Sequence, residues 1–163
     1  MNHVKCILAL LLVLPLAASP LPQVVGESLT GQKIVLPDTL RGQPAVVVWS
    51  FTREAGEKVE KWAAPLVRDG VNVWVVAMIE AAPRLLRPMI RSSMRRASPA
   101  LLHPRFVCAT SGEKAMRQVL EVADDRIPYL ILVDSGGGVV WRHAGPYSEA
   151  AHGELLRRLA GLR

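Results

Sequence analysis

The sequence has little cysteine and few aromatic residues. Two of its 163 residues are cysteines, Cys6 and Cys108, and aromatic side chains make up 5% of the chain. Cys6 stands in an N-terminal segment with the features of a signal peptide, so its removal leaves a single thiol, which cannot close an internal disulfide. The fold must therefore rest on a core of aliphatic side chains, and a disulfide-stapled small domain is excluded.

The N-terminal segment lacks an apolar run long enough to cross a bilayer, which takes about 20 residues. Met1–Lys5 carries one positive charge, Cys6–Leu16 is almost uninterrupted apolar, and Ala17–Ser19 supplies small residues. This order predicts a secretory signal peptide over residues 1–19 and an exported protein, periplasmic or secreted. The alternative is an uncleaved segment that anchors the chain in the membrane.

Acidic residues are missing from one stretch, between Glu80 and Glu113. The six arginines of that stretch equal the chain's net charge of +6. Within it, Pro83–Arg96 predicts an amphipathic helix with one apolar and one basic side. The apolar side is expected to hold Leu85, Leu86, Met89, Ile90 and Met94, and the basic patch is formed by Arg84, Arg87, Arg91, Arg95 and Arg96.

The basic patch has two interpretations. It is either a solvated helix face or a contact surface for an anionic membrane or an acidic partner. Nucleic acid is not expected as a partner, because the chain is predicted to be exported and no aromatic platform accompanies the arginines.

Strands and helices alternate over residues 29–163, which we expect to form one domain after a linker at 20–28. Strands are predicted at Ala45–Phe51, Val71–Ile79, Phe106–Ala109, Tyr129–Val133 and Val139–His143, and helices at Glu54–Arg68, 113–122 and Ser148–Leu162. The alternation predicts a three-layer α/β fold with a mixed central β-sheet flanked by helices.

Several short motifs carry a family resemblance. Ile127-Pro128 precedes the strand Tyr129–Val133, and a glycine turn, a second strand and Gly145 follow. In this order the chain resembles the thioredoxin-like superfamily, more closely its exported TlpA-like and redoxin branch. The resemblance implies a cis Pro128. Because proline has no N–H, adjoining backbone groups would stay open to an extended ligand.

The cysteine pair of that family is missing. Family oxidoreductases place Cys-x-x-Cys at the N-terminus of the first helix, where the helix dipole stabilises the thiolate. Here the turn reads Ser50-Phe51-Thr52-Arg53-Glu54-Ala55-Gly56, without a cysteine for dithiol or peroxidase chemistry. Thr52 has no adjacent base and is not a credible nucleophile. The sequence therefore predicts a redox-inactive module that binds another envelope protein. The predicted groove is lined by Thr52, Arg53, Glu54, Gly56, Ile127 and Pro128.

Cys108 provides the alternative function. In its apolar surroundings we expect a buried, inert thiol; the alternative is a thiol oxidoreductase or redox sensor that uses this single cysteine. His103, His143 and His152 lack metal-ligand spacing, so neither a metal nor another cofactor is expected.

A looser similarity concerns the Atp10-type assembly factors of ATP synthase, which are thioredoxin-like without the cysteine pair. It rests on the basic stretch Arg84–Arg105, on Tyr129–Asp134 and on Trp141. It implies a role in assembly rather than catalysis.

Overall fold

A computed structural model describes residues 18–163, which form a mixed eight-stranded sheet with helices on both faces. The strands are β1 (Ser19–Pro20), β2 (Val24–Ser28), β3 (Lys33–Leu36), β4 (Ala45–Ser50), β5 (Val73–Met78), β6 (Phe106–Ser111), β7 (Tyr129–Val133) and β8 (Gly138–Ala144). The helices are α1 (Arg53–Arg68), α2 (Arg87–Ala97), α3 (Glu113–Val119) and α4 (Glu149–Ala160). Short 3-10 helices lie at Asp38–Leu40, Arg84–Leu86 and Ala100–Arg105. None of the helices in residues 18–163 has the length and apolar character to span a membrane.

The sheet order is β1-β8-β7-β4-β5-β6-β2-β3. Strands β4, β5 and β6 run parallel, and the remaining neighbours pair antiparallel. Every residue of β4 is buried, which is the behaviour that its continuous apolar run predicts for a strand covered on both faces. Helices α1 and α4 cover one face through Trp62, Leu66 and Leu155, while α3 covers the other through Met116. The predicted three-layer α/β class with a mixed sheet is confirmed.

The expected linker at residues 20–28 is wrong, because this segment belongs to the sheet. Strand β2 pairs with both β3 and β6, and Val24 is fully buried. Gly26 suggests a loop from sequence alone, but a Cβ there would lie 2.5 Å from the carbonyl oxygen of Cys108. The glycine is thus needed where two strands approach closely.

The expected signal peptide, residues 1–19, lies outside the described residues apart from Ala18 and Ser19. Ser19 pairs with Val139 in the short β1–β8 ladder. The strand that follows is the first element with a buried interior.

The expected cis bond before Pro128 is also wrong. Within residues 18–163 the cis peptide bond is Leu36–Pro37, and Ile127–Pro128 is trans. Trans is the form that X-Pro bonds prefer, and here the chain passes directly from Pro128 into β7. Pro128 is buried, and its carbonyl oxygen accepts a hydrogen bond from Gly145 N at 2.9 Å.

The helix expected at Pro83–Arg96 forms in two pieces, with faces that differ from the prediction. A 3-10 helix turns about 120° per residue, against about 100° in an α-helix. Leu85 and Leu86 lie in the 3-10 turn Arg84–Leu86, whereas Met89 lies within α2 and points about 100° away from Ile90. Ile90 and Met94 of α2 pack against a cluster of Leu29, Ile79 and Cys108. Three residues expected on the buried side are exposed, namely Leu85, Leu86 and Met89.

Candidate functional site

The predicted site lies where β4 turns into α1, which we call the corner. Phe51 and Thr52 form the turn, and α1 begins at Arg53. The loop 120–128, which leads into β7, lies opposite this turn because β4 and β7 are neighbours. The corner is therefore built from two chain segments that the sheet brings together.

Thr52 has a structural task in the corner. Its Oγ1 accepts a hydrogen bond from Ala55 N at 3.2 Å and so caps α1. The same hydroxyl donates to the carbonyl oxygen of Asp125 at 2.8 Å. Because its proton is held by a backbone carbonyl rather than by a base, Thr52 is not activated as a nucleophile.

The loop opposite Thr52 uses its backbone acceptors internally. The carbonyl oxygen of Asp124 accepts from the Tyr129 hydroxyl at 2.9 Å, and that of Arg126 accepts from Lys58 Nζ at 2.8 Å. The Asp125 carbonyl is bonded to Thr52. The expectation that backbone groups around Pro128 stay open to an extended ligand is thus wrong for these carbonyls, and a peptide added as a further strand would not find them free.

Arg117 ties the two segments together through its side chain. Its Nε donates to Glu113 Oε1 at 2.8 Å, and a second guanidinium nitrogen lies 3.5 Å from Asp125 Oδ2. The guanidinium carbon stands 4.7 Å from the ring centroid of Phe51, a cation–π contact. Phe51 in turn meets Tyr129 edge to face, with centroids 6.1 Å apart.

The outer side of the corner carries paired charges. Arg53 pairs with Glu57 at 3.3 Å and Glu54 with Lys58 at 3.2 Å, both one helical turn apart. Across the corner, hydrogen bonds from Arg126 hold the pKa of the Asp124 carboxyl below its usual range.

The structure thus places all six predicted groove residues at the corner, but with different roles. Thr52 is half-buried and bonded, Ile127 is half-buried and Pro128 is buried, whereas Arg53, Glu54 and Gly56 are exposed. The sequence analysis missed Lys58, Arg117 and Asp125. The four-residue spacing of Glu54 and Lys58 is a signal that could have found the first of these.

Cys108 is fully buried on β6. Its Sγ lies 3.5 Å from Met94 Sδ. The pKa of the thiol is raised to about 12, mainly by burial. The charge of Arg91 lowers this pKa, and the charge of Glu27 raises it. The thiolate, which is the reactive form, is therefore scarce near neutral pH.

The residues of the predicted basic patch split into two groups. Arg91 pairs with Glu27, Arg95 donates to the carbonyl oxygen of Leu29, and Arg87 donates to the carbonyl oxygens of Ala82 and Glu80. Arg84 and Arg96 are exposed. Arg84, Arg87 and Arg91 also line a cleft of about 430 Å³ together with Lys33 and Glu27.

The histidines do not gather into a ligand set. Among residues 18–163 no three His, Cys, Asp or Glu side chains stand close enough to hold a metal ion. His143 stacks on Trp141 with centroids 5.7 Å apart, and desolvation lowers its pKa.

Comparison with solved structures identifies the architecture. A thio-disulfide isomerase from Thermus thermophilus superposes with a TM-score of 0.58 at 20% identity, over 87% of this chain and 95% of that one. The fold is thioredoxin-like.

Two further structures match this thioredoxin-like chain. One is a SCO1/SenC family lipoprotein from Bacillus anthracis, with a TM-score of 0.62 at 13% identity, over 89% of this chain and 95% of that one. The other is BsSco, a member of the Sco family of cytochrome c oxidase assembly proteins, with a TM-score of 0.61 at 10% identity, over 89% and 94% of the two chains. No protein-family model matches the sequence, and no curated protein is significantly similar to it.

Proposed function

We propose that this chain is a redox-silent thioredoxin-like module of the cell envelope that binds another protein and assists its assembly. The observation that carries the proposal is Thr52. It occupies the helix N-terminus where oxidoreductases of this fold hold their attacking cysteine, and both hydrogen-bonding directions of its hydroxyl are used within the chain.

The buried thiol argues against the alternative of a single-cysteine enzyme or sensor. A redox-active cysteine needs access to its substrate and a sizeable thiolate fraction. Cys108 is 0% exposed, although it borders the cleft lined by Arg84, Arg87 and Arg91, and its pKa is raised to about 12. Both values argue against a reactive thiol in the folded protein.

The solved structures of this fold include proteins with two kinds of function, disulfide exchange and assembly of another protein. One match is named a thio-disulfide isomerase, and another belongs to a family of cytochrome c oxidase assembly proteins. BsSco is itself described as having a disulfide switch, so the missing cysteine at the corner sets this chain apart from both matches, and the assembly role is the part that we propose. An envelope location agrees with the predicted signal peptide and with the lipoprotein among the matches.

The exposed side of the corner is the contact surface that we propose for the partner. Arg53, Glu54 and Gly56 are exposed there, next to the exposed Arg126. Because the nearby loop carbonyls are occupied, the partner would be recognised by side chains of paired charge rather than by strand addition.

A thiol assay tests the redox-silent part. The purified full chain and its Cys108→Ser variant should both show no disulfide reductase and no peroxidase activity above the buffer blank. Activity in the wild-type chain that disappears in Cys108→Ser would support the alternative function instead.

Site-specific crosslinking tests the binding part. A photoreactive amino acid at Gly56 should yield a discrete crosslinked envelope protein in the native cells, whereas the same group at the exposed Ala150 on α4 should not. An identical crosslink pattern from both positions would contradict a specific contact at the corner.

A further inference from the structure

We propose that a second surface, separate from the corner, docks the protein onto an anionic membrane. This leucine–arginine surface consists of exposed side chains on the 3-10 turn before α2, on α2 itself and on the segment after it. Its members are Leu85, Leu86, Met89, Leu101, Arg84, Arg95, Arg96 and Arg105. The proposal goes beyond the protein-binding role and rests on different residues, so each can fail without the other.

The apolar part of this surface is unusually exposed. Leu85 is 93% exposed, Leu101 74%, Met89 62% and Leu86 44%. These four are the large apolar side chains found exposed among residues 18–163. Three of them, Leu85, Leu86 and Met89, stand close together in the chain at the start of the helical segment, whereas Leu101 follows the end of α2. Neighbouring exposed apolar side chains mark contact surfaces.

The charge of the surface is positive and largely uncompensated. Arg84, Arg95, Arg96 and Arg105 are exposed on the same chain segments, although Arg95 also donates to the carbonyl oxygen of Leu29. Of the acidic residues nearby, Glu27 is paired with Arg91, and Glu80 accepts a hydrogen bond from Glu113 N at 2.8 Å. The basic cleft formed by Arg84, Arg87 and Lys33 adds positive charge beside the helix.

Exposed apolar side chains together with uncompensated positive charge favour an anionic membrane over a second copy of the chain as the binding partner. A second copy would bring two positive surfaces together, which costs free energy through like-charge repulsion. An anionic bilayer offers phosphate and carboxylate groups to the arginines and an acyl boundary to the leucines, which is the arrangement of interfacial helices. Each arginine close to an anionic surface raises the partition constant roughly fivefold.

A position-specific label tests the docking without interference from the N-terminal segment. Met89→Cys in a Cys6→Ser background carries an environment-sensitive fluorophore; Cys108 stays unlabelled because it is buried with a raised pKa. With vesicles containing about 30% phosphatidylglycerol we expect a blue shift and quenching by bilayer-resident quenchers. Binding to pure phosphatidylcholine vesicles should be about tenfold weaker or more.

Matched variants separate the apolar and electrostatic contributions. The same fluorophore at Ala150→Cys, on a helix at the other end of the sheet, should show no quenching. Adding Leu85→Ser to the labelled chain should abolish the blue shift. Adding Arg84→Gln and Arg96→Gln should weaken binding roughly 25-fold at low salt. Equal signals from neutral and anionic vesicles, no signal from either, or equal quenching at positions 89 and 150 would each overturn the proposal.

Discussion

The corner and the leucine–arginine surface treat their side chains in opposite ways. At the corner, Thr52, Lys58 and Arg117 each reach across to the loop before β7 and bond to it. On the leucine–arginine surface, Leu85 and Met89 point to solvent with most of their area exposed. At the corner, polar side chains form hydrogen bonds and ion pairs within the protein. On the leucine–arginine surface, large apolar side chains stay in contact with water.

The difference shows where a contact can be made without dismantling the fold. A ligand inserted between Thr52 and Asp125 must first break hydrogen bonds that hold the corner together. A ligand that binds at Leu85 or Met89 breaks no hydrogen bond of the fold. It removes apolar surface from water, which stabilises the complex by about 25 cal/mol per Å². The corner, where the resemblance to thioredoxin-like oxidoreductases implies a cysteine, is here held together by hydrogen bonds within the chain.

The largest expected effect comes from introducing a second cysteine at the corner and comparing its reactivity with that of Cys108. Thr52→Cys in a Cys6→Ser background places a half-exposed cysteine at the N-terminus of α1, where the dipole lowers the thiol pKa below about 8.5. Cys108, with a pKa of about 12, should react at least about a thousandfold more slowly with iodoacetamide at pH 8. Rates measured by mass spectrometry of tryptic peptides check this.

Glu60→Cys is the matched control for this prediction, because it lies exposed in the middle of the same helix. It should alkylate with an ordinary pH dependence, midway near pH 8.5. A thiol at position 52 that titrates above that at position 60 would show that the corner does not stabilise a thiolate.

The second-largest expected effect is a difference in how much substitutions in the two regions lower the free energy of unfolding. Phe51 is 8% exposed and contacts both Arg117 and Tyr129, so Phe51→Ala should lower the free energy of unfolding by about 3–5 kcal/mol. Leu85→Ala, at 93% exposure, should change it by less than about 0.5 kcal/mol. Urea titration followed by far-UV circular dichroism measures both. Comparable losses would mean that the leucine side chain is packed.

The cap of α1 gives a smaller effect. Thr52→Ala removes the acceptor for Ala55 N and the donor to the Asp125 carbonyl, and should cost about 1–2 kcal/mol of unfolding free energy. Thr52→Ser keeps both hydrogen bonds and should recover most of that loss in the same urea titration. A serine variant as unstable as alanine would assign the effect to the methyl group instead.

The fold could be predicted from sequence because its signals are local and repeated. The continuous apolar runs of β4 and β7 and the three-and-four spacing of Val59, Trp62 and Leu66 in α1 report burial directly. Strand β2 escaped prediction because Gly26 and the neighbouring polar residues indicate a loop. Gly26 is needed because β2 and β6 approach each other closely, and this long-range contact is not visible in any local sequence pattern.

The candidate site was predictable only in part. The missing cysteine at Thr52 is visible in the sequence, but the bonds of Lys58 and Arg117 to the loop 120–128 depend on which strands become neighbours. The prediction for α2 failed because it put Met89 and Ile90 on one side, although consecutive residues of an α-helix point about 100° apart. The packing of the folded chain partly buries Ile90 and Met94 and leaves Met89 exposed.

The smallest expected effect concerns how firmly α2 is held. Arg91 and Glu27 form an ion pair whose side chains are 29% and 41% exposed, so solvent and salt screen it. A double-mutant cycle with Arg91→Gln and Glu27→Gln should give a coupling of about 0.5–1 kcal/mol at low salt, falling as salt is raised. By contrast, the hydrogen bond from Thr52 to a backbone carbonyl should be nearly insensitive to salt. Coupling above about 2 kcal/mol that persists at high salt would mean that α2 is anchored as firmly as the corner. In that case the leucine–arginine surface would be a rigid platform rather than an element held by apolar contacts, a screened ion pair and arginine hydrogen bonds to backbone carbonyls.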